Sequence, residues 1–273
     1  MNNPLTQYFR RPALHLTLPS KGAYYPAGAI DMPETGELPV YPMTAIDEIT
    51  TKTPDALFNG SAVVDLVKSC IPGIKDPWSI PSMDLDAILI AIRAASNGNE
   101  LEIMSECPSC NNEGKYGVNL IQVLSTIKGD DYNKLLEIGD LKIKFRPLSY
   151  KEVNKGNLVQ FEMQREIAVL EAIDDVQIKQ TKSSETIKKL SEMNMAVIAL
   201  TIDSIILPDQ IVTNREFITE FLAQCDRNIY ESIRETISTI RVNSQTKPQK
   251  IKCVNCSHEY NQALALNVTD FFG

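Results

Sequence analysis

Cys107-Pro108-Ser109-Cys110 and its counterpart Cys253-Val254-Asn255-Cys256 decide how this chain is read. Two cysteines separated by two residues turn both sulfurs to one side of a tight bend, and two such bends supply the four ligands of a tetrahedral ion. Each pair is flanked as a ribbon requires. Leu101 to Met104 leads into the first and Lys115 to Leu120 leaves it; Lys250 to Lys252 leads into the second and His258 to Tyr260 leaves it. The expectation is one Zn²⁺ held by Cys107, Cys110, Cys253 and Cys256. Four thiolates fill its coordination sphere, so the ion is structural, with no position for a water or a substrate. It clamps residues 107–110 to 253–256, and what lies between is an insertion held at both ends. The competing assignment, disulfides, suits a short secreted chain. This chain has 273 residues and no apolar run of signal-peptide kind in Met1 to Arg11, which points to a reducing cytoplasm.

A hydrophobic content of 43% is ordinary for a folded core. The net charge of −8 disfavours a nucleic-acid role, because phosphate contacts need a basic face. No stretch spans a membrane: the most apolar segment, Met195 to Leu207, is short and carries Thr201, Asp203 and Ser204.

Eleven of the fifteen prolines fall in the first 81 residues, which excludes a long helix there. Leu14, Leu16 and Leu18 alternate with His15 and Thr17 as in a half-buried strand, with His15 on the polar face. Leu18 to Pro26 is a turn carrying Tyr24 and Tyr25. Asp47 and Glu48 suit the first turn of a helix better than acid or base chemistry. Val63, Leu66, Val67 and Cys70 form one helical stripe and Leu85, Ile88, Leu89 and Ile92 another, the second with Asp84 as its cap and Gly98 at its end. Leu141, Ile143 and Phe145 alternate with Lys142, Lys144 and Arg146, a strand with one basic face.

Residues 149–243 read as almost wholly helical. Ser149 with Glu152, and Thr213 with Glu216, have capping-box spacing. Asp174 to Ser184 reads as a flexible connection, and Met195 to Leu207 as the central helix of a bundle of three or more. Ile218, Phe221, Leu222 and Cys225 form a further stripe, and Ile229, Ile233, Ile237 and Ile240 another. Cys70 and Cys225 are thus core residues. The tail, with Leu264, Leu266, Val268, Phe271 and Phe272, needs cover from this chain or a neighbour.

No Gly-rich phosphate loop, nucleophile with a partner histidine or His-Glu metal motif is present, so no catalytic and no cofactor-binding residue is assigned and the chain is read as a non-enzyme. His258 follows the second cysteine pair closely, but with four thiolates at hand it reads as a surface residue.

Leu18-Pro19-Ser20-Lys21-Gly22 with Tyr25-Pro26, Pro42-Met43-Thr44-Ala45 to Asp47-Glu48, Asn59-Gly60, Cys70-Ile71, Asp84 to Arg93 and the Cys107/Cys110 pair follow one another as in a known group. In these pieces the chain resembles the baseplate hub and hub-assembly proteins of T4-like contractile-tailed phages, the T4 baseplate protein family. The likeness covers roughly the first 125 residues; beyond them it rests on length and helix content. It implies a virion or assembly role without catalysis, a place in the tail baseplate after synthesis in the bacterial host cytoplasm, and other hub or tail proteins as partners, with multiple copies in a symmetric assembly.

The sequence therefore predicts an α+β fold with a Pro-rich extended N-terminal region, a zinc ribbon built from two CxxC knuckles, and a large helical insertion between the knuckles. The expected divisions are 1–82, an N-terminal arm and first helix; 83–125 plus 245–273, the zinc-ribbon core; and 126–244, the insertion. The expected function is that of a zinc-stabilised structural subunit of a phage tail baseplate hub, contacting its neighbours through the arm and the apolar C-terminus. The alternatives are a hub-assembly factor that leaves before the particle is complete, and a zinc-ribbon nucleic-acid-binding protein.

Overall fold

A computed structural model of the chain describes residues 4–53, 59–171, 176–264 and 271, with those at 169–171 and 176–183 described by backbone alone. It divides into two compact units, Met1–Gly129 with Ser244–Gly273, and Asp130–Asn243. Both mix helix and antiparallel strand.

The first unit is built on the helix α3 (Ser82–Asn97). Ile88, Ile90 and Ile92 are all fully buried, so apolar contacts surround the helix on more sides than the stripe predicted. Burying each such side chain contributes about 1.5–3 kcal/mol. Helix α2 (Ser61–Cys70) buries Val63, Leu66, Val67 and Cys70, the stripe expected of it. Strands β1 (Leu14–Leu16) and β2 (Leu38–Val40) pair antiparallel with Leu16 opposite Leu38, and both of those residues are buried. The proline-rich segment is thus folded into the core at residues 16, 18, 38 and 40, while His15 stays on the exposed side of its strand.

Asp84 does not cap its helix. The N-cap is Pro81, and the Asp84 carboxylate is fully buried, accepting from Ser20 N at 2.8 Å, Ser20 Oγ at 2.5 Å and Tyr25 Oη at 3.1 Å. It holds the Leu18–Pro26 turn, in which Lys21, Gly22 and Tyr24 adopt positive φ of 55°, 82° and 69°. For Lys21 and Tyr24 that region is sterically unfavourable and persists only when surrounding contacts impose it.

A second tie runs through Arg10. Its guanidinium donates to Pro42 O and Ser69 O, each at 2.7 Å, and lies 3.5 Å from Asp47 Oδ2. Asp47 also accepts from Thr44 N and Oγ1, closing a capping box at the start of α1 (Ala45–Thr51), as the acidic first turn predicted. On the side of α1 away from this network, Ile46 and Ile49 are 74% and 68% exposed.

The second unit carries a four-stranded antiparallel sheet in the order β5 (Leu136–Ile138), β6 (Leu141–Phe145), β7 (Ile202–Ile206), β8 (Ile211–Val212). Ile143, Phe145, Ile202 and Ile205 are buried on it. The basic face of β6 is matched within the chain: Lys142 pairs with Glu137 at 3.2 Å, Lys144 with Asp203 at 3.5 Å, and Arg146 with Glu152. Glu152 also completes the Ser149 capping box that opens α5 (Tyr150–Glu171).

The long helix α6 (Val176–Thr201) ends where β7 begins, so Met195–Leu207 is not one bundle helix. Two effects divide it. Ile202, Ile205 and Ile206 are β-branched and pair with β6, and Arg215 Nη1 donates to the carbonyls of Ala199 (2.9 Å) and Ile202 at the helix end. Residues 176–184, expected as a flexible connection, lie inside α6, while Asp174 falls outside the described residues. Helix α7 (Arg215–Gln224) is capped by Asn214, whose Oδ1 accepts from Glu216 N and Phe217 N, in place of the expected Thr213. Cys225 is its half-buried C-cap and not a core residue. Helix α8 (Arg227–Ser244) buries Ile233. At the neck of this unit Asn243 Nδ2 donates to Asp130 Oδ2 at 3.0 Å.

Candidate metal centre

The cysteines sit at the tips of two antiparallel hairpins. Strands β3 (Glu100–Glu106) and β4 (Glu113–Asn119), the latter running into the short helix α4 (Leu120–Thr126), present Cys107 and Cys110; β9 (Gln249–Lys252) and β10 (Glu259–Gln262) present Cys253 and Cys256. The two tips repeat one backbone pattern. Cys107 N donates to Asn112 O and Asn111 N to Cys107 O, at 3.0 and 2.9 Å; Cys253 N donates to His258 O and Ser257 N to Cys253 O, both at 2.9 Å. The residue after the second cysteine is left-handed in each, Asn111 with φ 54° and Ser257 with φ 60°. That conformation folds the tip back so that both sulfurs face inward.

The four Sγ atoms lie within 4.8 Å of one another. Across the hairpins Cys107 Sγ is 3.7 Å from Cys256 Sγ, and Cys110 Sγ is 3.7 Å from Cys253 Sγ. A tetrahedron with metal–sulfur bonds of about 2.3 Å has sulfur–sulfur edges of about 3.8 Å. Disulfide sulfurs stand about 2.05 Å apart, and all six cysteines here are free thiols. The donor set therefore fits a metal ion. Cys107 and Cys253 are buried, Cys110 is half-buried, and Cys256 is exposed.

The local electrostatics favour a bound cation. The backbone N–H of Cys256 donates to the Cys253 sulfur and brings that thiol down to about 6, so it ionises readily. At Cys256 the N–H of His258 works in the same direction, but the neighbouring sulfurs, Cys110 foremost, push the thiol up to about 11. Four sulfurs this close cannot all ionise unaided, and a divalent ion removes that conflict.

Polar contacts join the hairpins below the sulfurs. Ser105 Oγ donates to Gln262 Oε1 at 2.7 Å, and Tyr260 Oη donates to Ser105 Oγ at 3.0 Å. Thr246 Oγ1 donates to Asp86 Oδ2 at 3.0 Å, fastening the start of the second hairpin to α3, and burial raises the Asp86 carboxyl. Sequence reasoning named the four cysteines that the structure brings together, and none of these supports. Ser105 and Gln262 look ordinary in sequence, and only strand alternation places them on facing sides. His258 is exposed, stacks over Tyr260 with ring centroids 6.3 Å apart, and is not in the group of four cysteines. Cys70 is buried in α2, with its thiol pushed up to about 12 by burial and by Asp47, and takes no part in the cluster. At the C-terminus Phe271 is buried and its carbonyl accepts from Arg93 Nε at 2.8 Å, so at that residue the apolar tail is covered by this chain. Leu266, Val268 and Phe272 lie outside the described residues.

A family model described as T4 bacteriophage base plate protein matches residues 31–273. No curated protein and no solved structure matches.

Proposed function

The chain belongs to the T4 bacteriophage base plate protein family, and from that premise we propose that it is a zinc-stabilised structural subunit of the tail baseplate hub, without a catalytic step. The observation that carries the reading is the group of four sulfurs within 4.8 Å, brought together from positions about 150 residues apart along the chain. Cys107, Cys110, Cys253 and Cys256 are the ligands. Soft thiolates in tetrahedral array select zinc over calcium or magnesium, and a filled sphere leaves the ion a purely structural task.

Three parts follow from the clamp: residues 1–82 as the N-terminal region, 83–125 with 245–273 as the ribbon core, and 126–244 as the insertion. The boundary of the second compact unit at Asp130 and Asn243 supports the limits of the insertion, while residues 1–82 and the ribbon core share the first compact unit. Other tail proteins are the partners. The outward Tyr8 (78% exposed) and Phe9 (58%) beside the Arg10 anchor support contact through the N-terminal region. Against nucleic acid, β3 and β4 turn Glu100, Glu102, Glu106 and Glu113 to solvent, the last two next to the first cysteine pair, and Lys115 alone offsets them, which leaves a face of net negative charge that repels phosphate.

Mass spectrometry of purified particles together with elemental analysis of the isolated chain tests the reading. The expected result is the chain in the finished tail and one zinc per chain. Its absence from complete particles would make it an assembly factor that departs, and a chain without zinc would remove the clamp.

A further inference from the structure

The Tyr116 hydroxyl is buried and makes no well-aligned hydrogen bond among the described residues. Native chains rarely leave such a group alone, and its surroundings show what it serves. Ser105 and Gly114 stand opposite each other in the first hairpin, two residues before Cys107 and four after Cys110. Tyr116 folds its ring toward the hairpin tip, over Gly114. A Cβ at position 114 would stand 2.9 Å from Tyr116 Oη and 3.0 Å from its Cε2 and Cζ, so glycine is what leaves the ring this path. From the second hairpin, Tyr260 Oη ends over the same pair of residues, on Ser105 Oγ. The two tyrosine hydroxyls are neighbours. Burial first and then the Tyr260 hydroxyl push Tyr116 up to about 12, with the Cys253 sulfur adding to the rise and the Val254 N–H opposing it, so the hydroxyl keeps its proton.

We propose that Tyr116 is a positioning residue of the metal centre, whose hydroxyl donates to the ligated Cys253 sulfur and fixes that ligand from the opposite hairpin. The inference rests on the reading of the four cysteines as a zinc site. Proton accounting singles out this donor. Tyr260 gives its proton to Ser105 Oγ and Ser105 gives its own to Gln262 Oε1, which leaves the Tyr116 proton as the uncommitted one in the group. Two acceptors adjoin it, the Tyr260 oxygen and the Cys253 sulfur. With the ion bound Cys253 is a thiolate, and a charged acceptor holds a donor more strongly than a neutral hydroxyl does. Four thiolates around a divalent ion also keep an excess of negative charge, which donors aimed at sulfur stabilise. Asn255 Nδ2 already crosses from the second hairpin to Cys110 Sγ, at 3.7 Å. Tyr116 supplies the converse, from the first hairpin to Cys253.

Zinc affinity of the full-length chain, measured by competition with a chromophoric chelator, tests this, with Co²⁺ as the spectroscopic probe of the same site. Tyr116→Phe should weaken zinc binding at least tenfold and shift the sulfur-to-cobalt charge-transfer band, with unchanged circular dichroism. Gly114→Ala, which drives the ring off its path, should weaken zinc binding likewise. Tyr260→Phe loses a tie between the hairpins but no donor to sulfur, and should leave the band in place. A wild type that binds no metal removes the zinc reading and this proposal with it. A wild type that binds one zinc, beside a Tyr116→Phe protein that binds it equally well with the cobalt band unmoved, overturns this proposal alone. So does a band shift that Tyr260→Phe reproduces in full.

Discussion

Cys107 Sγ and Cys256 Sγ stand 3.7 Å apart although 149 positions separate them in the chain. Nothing local brings them together; each is delivered by its own hairpin, and the ion they can share would make the contact permanent. Cys107→Ser and Cys256→Ser should therefore each abolish zinc binding and lower the melting temperature. Cys70→Ser and Cys225→Ser, outside the cluster, should keep one zinc per chain. Elemental analysis and thermal melts of the four variants decide it. Because a structural site contributes its binding energy to folding, a strong chelator should reproduce the loss of stability in the wild type and leave the Cys107→Ser protein unchanged.

The Asp84 carboxylate gives a pH prediction with a defined sign. Burial raises its pKa to about 6, against the lowering effect of the Ser20 and Tyr25 hydrogen bonds. The folded value lies above the unfolded one of about 3.9, so this group's contribution is full below pH 4 and is lost as pH rises through 6. The shift corresponds to about 3 kcal/mol. Burial and the Asp84 charge also drive the Tyr25 hydroxyl upward, which keeps it neutral throughout that range. Urea midpoints of the wild type and of Asp84→Asn, compared from pH 4.5 to 7.5, should diverge, with the wild type gaining on the variant as pH falls. Parallel curves would show that Asp84 does not titrate in this window.

Arg10 reaches the last turn of α2 through the Ser69 carbonyl and meets Asp47 at the start of α1. Arg10→Ala removes charge-assisted bonds to two carbonyls and leaves Asp47, only 11% exposed at its side chain, without its cation. A loss of about 2–3 kcal/mol in chemical denaturation is expected. Arg10→Lys should recover less than half of it, because an ammonium cannot span Pro42 and Ser69 as the planar fork does.

Ile90 and Ile49 are the same residue type in opposite settings, fully buried in α3 and 68% exposed on α1. Ile90→Ala should cost about 2–5 kcal/mol through lost burial and the cavity left behind. Ile49→Ala should fall within about 0.5 kcal/mol of the wild type. The single tryptophan, Trp78, lies in the first unit, so its emission follows the unfolding of that unit directly.

What the sequence disclosed, and what it concealed, follows the range of the forces involved. The cysteine pairs were legible because two intervening residues fix a tight bend, and that geometry is local. Strand β6 was legible because Leu141, Ile143 and Phe145 alternate with charges. The apolar run through Ile202 hid its turn from helix to strand, since a short run of that kind fits both, and the deciding partners, β6 and Arg215, come from elsewhere in the chain. Asp84 has the spacing of a helix cap, and only the distant Ser20 and Tyr25 make it a buried receptor. Ile90 lay off the expected stripe because α3 is enclosed on more than one side.

Asp130 and Asn243 meet at 3.0 Å, so the second unit begins and ends at the same spot. A segment with such a narrow gateway can lengthen, shorten or be exchanged between related phages while the frame that carries it needs no redesign. Evolution could thus refit what this subunit displays while keeping how it is built.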